Sequence, residues 1–369
     1  MPHIRPIERH EIPQIADLHW RVFAHGLGHP PASLERYLDE MVFQQPWGRS
    51  GLSSLVYEDK SGKIVGFQGI VPRPMRMDAK PIWAAVCTQL MVDPRAHPLV
   101  GVQLLKESFS YPCDLIVADE ANDRSRKLWE GIGGVTALFA GLRWTHVLRP
   151  VRFLGSLASQ RGFGRRALHV VGTIVDPLLS GLMPASMSEG ASELMAEELD
   201  NQTFLQCLEN SYAGQQLRPD YSLASLRWLT DQLHLKRCHG TLKAVSLWNQ
   251  SRTVVGCYVY YVKSGAVAQV VAVCAGDAVV GQVMDRLFDD ARRDGAIAVS
   301  GRMDPRYFEV LSDKRCLFNR SYGWFLVHAK RPDIMKAIHD GRAHFSRMEG
   351  EWWMRFSEFS APTAQRMSA

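Results

Sequence analysis

Three features that would settle the class of this 369-residue chain at once are missing from it. There is no C-x-x-C pair. The seven cysteines, at 87, 113, 207, 238, 257, 274 and 316, are odd in number and scattered, which argues against a disulfide framework and a clustered zinc site. A reduced, cytoplasmic compartment without a bound metal is the expectation. Nor is there an unbroken hydrophobic run. The longest apolar stretch, Ala167 to Met183, is interrupted by His169, Asp176 and Pro177 and falls short of the ~20 residues of a membrane span. The opening Met-Pro-His-Ile-Arg-Pro-Ile-Glu lacks the charged-then-apolar order of a secretory signal. A long basic run is absent too. Forty-three basic and 38 acidic residues leave a net charge of +5 that is thinly spread, and the densest stretch, Arg152 to Arg166, is short, so no nucleic-acid partner is expected.

What is present is an ordinary globular composition, 46% hydrophobic and 22% charged, long enough for two domains at roughly 100–200 residues each. A short strand candidate, His3 to Pro6, precedes a helix pattern carried by Ile12, Ile15, Ala16, Leu18 and Phe23. Leu55–Tyr57 and Ile64–Val71, joined by a polar turn containing Gly62, read as a β-hairpin. Then come a strand from Trp83 to Val92, a helix from about Val100 to Ser110, a buried strand from Asp114 to Ala118, and a helix from about Asp123 to Glu130 ending at the Gly133-Gly134 pair. This order predicts a mixed α/β sheet with one parallel pairing around the central helix.

The second half repeats the order, with a hairpin over Leu242–Trp248 and Thr253–Val262, a strand over Val267–Cys274, a helix over Val279–Arg292, a strand over Ala296–Ser300 and a helical stretch at Tyr307–Leu311. Ile64-Val65-Gly66-Phe67 is matched 190 residues later by Val254-Val255-Gly256-Cys257, and Gly101 is matched by Gly281. Such an internal repeat divides the chain into an N-terminal domain, 1–150, a linker with a helical segment, 151–204, and a C-terminal domain, 205–369. Residues 161–183 have basic flanks that would suit an interfacial helix and peripheral membrane association, but Pro177 and two glycines favour a linker helix packed on one domain.

The stretch from Trp83 to Gly134 resembles the GNAT acyltransferases. A strand ending in Val92-Asp93-Pro94-Arg95, a turn, Gly101 and Leu104-Leu105 resemble the segment in which a glycine-rich turn binds the pyrophosphate of acyl-CoA. Free N–H groups and the positive end of a helix dipole give such a turn its affinity for anions. Val117-Ala118-Asp119-Glu120-Ala121-Asn122, then Arg126-Lys127-Leu128-Trp129 and Gly133-Gly134, resemble the closing segment. The resemblance implies two GNAT-like domains in tandem, the second degenerate, with acetyl-CoA or another acyl-CoA as substrate. It also implies pantetheine contacts from the backbone of Leu90, Met91 and Val92, and phosphate contacts from Arg95, His97, Val100, Gly101, Val102 and Asn122.

Departures from the family pattern shape the expected chemistry. At the phosphate turn, Ala96-His97-Pro98-Leu99-Val100-Gly101 keeps only the last glycine, and Pro98 has no N–H to donate. Arg95 and His97 could supply side-chain charge in its place. The aromatic general acid of many relatives is a tyrosine, whereas Trp129 stands here, and an indole N–H gives up no proton at useful pH. Trp129 is left to shape the thioester channel or to pack in the core. The strand glutamate that serves as base in many relatives is missing from Ala84-Ala85-Val86-Cys87-Thr88-Gln89, leaving Asp119 and Glu120 as the nearest carboxylates. Either one acts as base, or both complement the following helix dipole. Asn122 reads as the cap of that helix. In the second half, Asp277 in the turn before Gly281 would repel a pyrophosphate. Tyr322, Trp324, Phe325, Trp352 and Trp353 either hold a sugar or apolar acceptor or fill the core.

The expected activity is acyl-CoA-dependent N-acyl transfer to a small amine, such as an amino sugar in polysaccharide or cell-envelope biosynthesis. The alternatives are a GNAT-fold binding or scaffold protein that has lost its chemistry, and an aminoacyl transferase of the Fem type, which would need a charged tRNA that the dispersed charge does not favour.

Overall fold

In the computed structural model the described residues are 3–24, 28–48, 51–160, 194–320 and 323–359. The candidate interfacial segment 161–183 and Tyr322 lie outside them. The alternating apolar pattern of the first half folds as β1 (His3–Pro6), β2 (Leu55–Glu58), β3 (Ile64–Met77), β4 (Lys80–Val92) and β5 (Leu115–Ala121). Neighbours pair antiparallel until β4 meets β5, which run parallel. A right-handed crossover needs a helix here, and Val100–Ser110 supplies it. The second half repeats the plan with β8 (Met195–Glu198), β10 (Thr241–Trp248), β11 (Val254–Val262), β12 (Val267–Ala275) and β13 (Ala298–Arg302), where β12 and β13 are the parallel pair. Helix Val280–Arg293 makes that crossover. Two mixed sheets with flanking helices thus repeat one plan along the chain.

The repeated glycine has a packing cause. A Cβ on Gly66 would lie 2.6 Å from Val100 and one on Gly256 would lie 2.9 Å from Val283, so in each half a bare position lets the crossover helix settle on the hairpin.

The sheets are not completed by their own halves. Strand β7 (Leu142–Val147) leaves the first half to pair with β13 and β14 (Leu317–Arg320), β15 (Trp324–Ala329) leaves the second to pair with β5 and β6 (Val135–Thr136), and β9 (Leu217–Pro219) adds to β3. The two units therefore share strands, and their cores are shared as well. One buried cluster joins Ile15, Leu38 and Phe67 to Phe204, Leu229, Phe345 and Trp353, at about 1.5–3 kcal/mol for each large apolar side chain buried. Chain 344–355, neither helix nor strand apart from the bridge at the preceding Ala343, threads between the sheets. Arg302 of β13 donates to its Ser346 carbonyl across 2.8 Å, and Arg73 of β3 donates to its Met348 carbonyl.

Candidate active site

Strands β4 and β5 pair only at residues 84–86 and 115–117, and beyond that they splay. From Cys87 to Val92 the edge of β4 facing β5 has no ladder partner in β5, so backbone N–H and C=O groups line a wedge-shaped opening. The register of β4 against β3 slips between Phe67 and Gly69, which places a bulge at Gln89. Gln89, at φ +48°, and Glu120, at φ +56°, face this opening from either side in the left-handed region. Each such non-glycine residue costs about 1–2 kcal/mol, strain of the kind that gathers at functional sites.

A carboxylate enters the wedge from the far end of the chain. The Thr88 hydroxyl donates to Glu351 across 2.6 Å, the Gln89 backbone N–H points at the same carboxylate, and the Glu351 N–H donates to Asp119. Burial raises the Glu351 carboxyl to about 8, helped by the negative charges of Asp119 and Glu120. Gly350 must be bare for this to happen, since a Cβ there would sit 2.1 Å from the Asp119 carboxylate.

Beside Glu351 lies a cavity of about 210 Å³, lined among others by Gln89, Glu120, Lys236, His239 and Trp352. Lys236 follows the helix Leu223–Leu235, and its ammonium is buried, donating to the carbonyls of Trp352 and Met354 (3.1 Å for the latter) and lying 4.4 Å from the Trp352 ring centre. Burial lowers it to about 8. His239 stacks on Trp352 at 4.9 Å, and burial holds its imidazole well below the ordinary range and neutral.

The two carboxylates expected to act as base are engaged elsewhere. Asp119, 1% exposed, is paired with Arg302 at 2.6 Å and ties the first sheet to the second. Glu120 reaches the cavity but accepts from Arg143 at 3.0 and 3.2 Å; burial pushes its carboxyl up, and Arg143, Arg302 and Arg347 outweigh this and hold it below the usual range. Trp129 does not shape a channel. It is 2% exposed, edge-on to Phe109 at 4.9 Å behind the sheet, with Gly134 folded against it. Cys87 is buried in the same core, where burial raises its thiol. Of the aromatic pairs, Trp353, Phe325 and Trp324 are core residues, whereas Trp352 forms a wall of the cavity.

Leu90, Met91 and Val92 run along the open edge, with Met91 itself buried and its neighbours half-buried. At its end, Arg95, His97 and Val100 line a cleft together with Lys60 and Lys63 from the β2–β3 turn. Asp93 shapes the turn by accepting from the Arg95 N–H at 3.0 Å and pairing with Arg21 at 3.4 Å. Two turn amides are already used, Val100 N–H on the His97 carbonyl and Leu99 N–H on His97 Nδ1. Gly101 and Val102 lie in the first helical turn, whose N–H groups have no intrahelical acceptor. Asn122 caps the next helix, accepting from the Ser125 N–H at 2.9 Å.

In the second half the equivalent splay is filled by protein. Arg347 donates to the carbonyls of Val270 on β12 and Ser300 on β13, at 2.9 and 3.3 Å, and the Tyr307 hydroxyl donates to the Ala275 carbonyl at 3.0 Å.

Glu351, Lys236 and the Lys60/Lys63 pair escape sequence reasoning. For Glu351 a signal existed in Arg347-Met-Glu349-Gly-Glu351-Trp-Trp, where charges interrupt an aromatic run without helical or strand period.

A mixed sheet with an open β4/β5 splay and a crossover helix is the fold found in solved structures of GCN5-related N-acetyltransferases. Solved structures that share it include a GCN5-related N-acetyltransferase from Anabaena variabilis (TM-score 0.58, 11% identity, 90% of this chain and 74% of that one). Another is from Kribbella flavida (0.57, 13%, 89% and 71%). The Saccharomyces cerevisiae N-myristoyltransferase with bound myristoyl-CoA is similar over 90% of this chain and 81% of its own, at TM-score 0.50 and 10% identity. No protein-family profile matches the chain, and no curated protein does. Among the described residues no helix is long and apolar enough to cross a membrane.

Proposed function

We propose that the chain is an acyl-CoA-dependent N-acyltransferase acting on a small amine, with Glu351 as general base. The observation that carries this is the Glu351 carboxylate, held by Thr88 and Gln89 at the bulge of an open strand edge and raised to about 8. The pantetheine arm of the acyl-CoA lies along Leu90–Val92, with its phosphates among Lys60, Lys63, Arg95 and His97 and over the amides of Gly101 and Val102. These side chains compensate for the glycines that the turn lacks. A backbone amide of the open edge near Leu90 or Met91 polarises the thioester carbonyl.

Glu351 removes a proton from the acceptor ammonium, directly or through a water in the cavity. The freed nitrogen lone pair forms the C–N bond to the carbonyl carbon, and the C–S bond breaks. The nitrogen gives up a second proton as the amide forms, and of the two protons one goes to the departing thiolate and the other to solvent, which requires no acid at Trp129. An amino sugar fits this scheme as one member of the acceptor class. The filled splay of the second unit supports a single acyl-CoA site in the first.

Calorimetry with acetyl-CoA and longer acyl-CoAs tests the reading: micromolar to sub-millimolar binding at one site per chain is expected. No binding to any of them overturns it. One observation favours a second reading, a binding protein without chemistry: Pro98 and the two engaged amides leave the turn few donors for phosphate. On that reading the chain binds a small amine but releases no CoA thiol in its presence.

A further inference from the structure

The ion pairs around the cavity do not use up its cations, and Glu351, the remaining carboxylate, is held by Thr88 and Gln89 instead. Arg143 is paired with Glu120 and Arg302 with Asp119. That leaves two more buried cations, Lys236 at 3% and Arg347 at 1% exposure, and neither has a carboxylate within salt-bridge distance among the described residues. Both lie against Trp352, which forms the cavity wall, at 4.4 and 4.3 Å from its ring centre. Lys236 has three N–H donors and spends two on the carbonyls of Trp352 and Met354. One guanidinium nitrogen of Arg347, Nη2, is buried without any hydrogen-bond acceptor. A buried cation without a carboxylate partner is costly, so a fold that keeps Lys236 in the wall of the cavity, with Arg347 behind Trp352, is organised for an anion that comes from outside.

Position narrows what that anion is. The Lys236 ammonium sits on the carbonyl of Trp352, one residue from Glu351, so an anion held there shares one small cavity with the proposed base. Volume is consistent with a small acceptor, because about 210 Å³ accommodates an amine of amino-acid or monosaccharide size.

We propose that the Lys236 wall, with Arg347 behind Trp352, seats a carboxylate of the acceptor, so that the amine acylated is a small carboxylate-bearing one. Lys236 is then the specificity-determining residue, contacting the acceptor and not the acyl-CoA. This rests on the acyl-transfer reading for its chemistry, but the seat itself is a binding site that can be tested without turnover.

Two measurements decide it. In the first, thiol release from acetyl-CoA is followed with glycine, alanine and aspartate, with the corresponding amides, and with glucosamine and phosphoethanolamine. A charge-assisted hydrogen bond present in one acceptor and missing in the other predicts a kcat/KM for the acids about 10–100-fold above that for the amides. Lys236→Met removes the preference, and Lys236→Arg restores part of it. Amides used as well as acids, a preference for phosphoethanolamine, or a preference that survives Lys236→Met overturns the proposal. In the second, N-acetylalanine and N-acetylalaninamide are compared by thermal shift without CoA. A rise in Tm with the acid alone, lost in Lys236→Met, supports the seat even if no acyl-CoA binds, in which case only the acyl-transfer reading falls. Equal shifts with acid and amide overturn the seat while leaving that reading intact. If Lys236→Met does not fold, the acid and amide comparison on the wild-type chain and on Lys236→Arg still decides.

Discussion

Thr88 donates its hydroxyl to Glu351 across 2.6 Å, although 263 residues separate them. The strand that carries a base in many GNAT acyltransferases has none here, and this contact returns a carboxylate to that strand from the other end of the chain. Glu351→Gln keeps the shape and the Thr88 bond but cannot take a proton. Its kcat is expected to fall by about 10²–10⁴ while the Kd for acyl-CoA stays within about twofold. Because the base must be ionised, wild-type kcat/KM should climb with pH and level off above about 8, and that inflection should vanish in the variant. Steady-state rates from pH 6 to 9.5 give the answer. A variant as fast as wild type removes Glu351 from the mechanism.

The same group makes stability depend on pH. Its carboxyl lies at about 8 in the fold against an ordinary value of 4.5, so the native state holds the proton more tightly than the unfolded chain does. The contribution is therefore complete below about 4.5, is lost as pH rises toward 8 at up to about 1.4 kcal/mol per unit, and is constant above that. Glutamine mimics the protonated form and does not titrate. Glu351→Gln should accordingly gain on wild type in urea midpoint between pH 5 and 8, with the difference flat beyond. A difference that is constant from pH 5 to 9 would contradict the buried, proton-holding carboxyl.

Asp119 is expected to behave as a structural residue. Its carboxylate joins Arg302 of the second sheet to the Glu351 amide, so truncation leaves a buried guanidinium without a carboxylate partner. Asp119→Ala should cost about 3–5 kcal/mol in chemical denaturation. Any loss of activity should then be accompanied by this loss of stability. Full stability combined with lost turnover would make Asp119 a participant in the chemistry after all.

Trp129 gives the opposite contrast. It packs on Phe109 in the core and lines neither the cavity nor the cleft. Trp129→Phe should cost about 1–2 kcal/mol of stability and leave kcat/KM within about twofold once the sample is folded. A drop of tenfold or more at unchanged Tm would place the indole at the thioester.

Local order was legible in the sequence. The helix expected from about Val100 to Ser110 spans those residues, and the hairpin expected over Leu242–Trp248 and Thr253–Val262 is found at Thr241–Trp248 and Val254–Val262. Even the Gly66/Gly256 correspondence had a physical cause, the close approach of a crossover helix. Exchange of β7 and β15 between the sheets was not legible, because nothing local to these two six-residue strands names the sheet edge they join, and their partners lie far apart in sequence. The proposed base was hidden for a related reason. Residues 344–355 have no period, and only the tertiary path past Asp119 brings Glu351 to Thr88.

The cleft proposed for the phosphates supplies the last test. Its turn has lost all but one of the glycines that would present amides, and the nearby charge comes from Arg95 and from Lys60 and Lys63 on another element. Lys63 and Arg95 are exposed, so solvent screens each contact with a phosphate. Lys63→Ala and Arg95→Ala should each raise the Kd for acetyl-CoA by about 2–5-fold, and the double variant by the product. Raising salt from 50 to 500 mM should weaken wild-type binding more than that of the double variant, because fewer charges remain to be screened. Acetyl-pantetheine, which has the thioester but no phosphate, separates this from general damage: its turnover should be the same in all four proteins. Equal Kd values for acetyl-CoA across the series would mean that the phosphates lie elsewhere, and that the cleft at Arg95 serves some other anion.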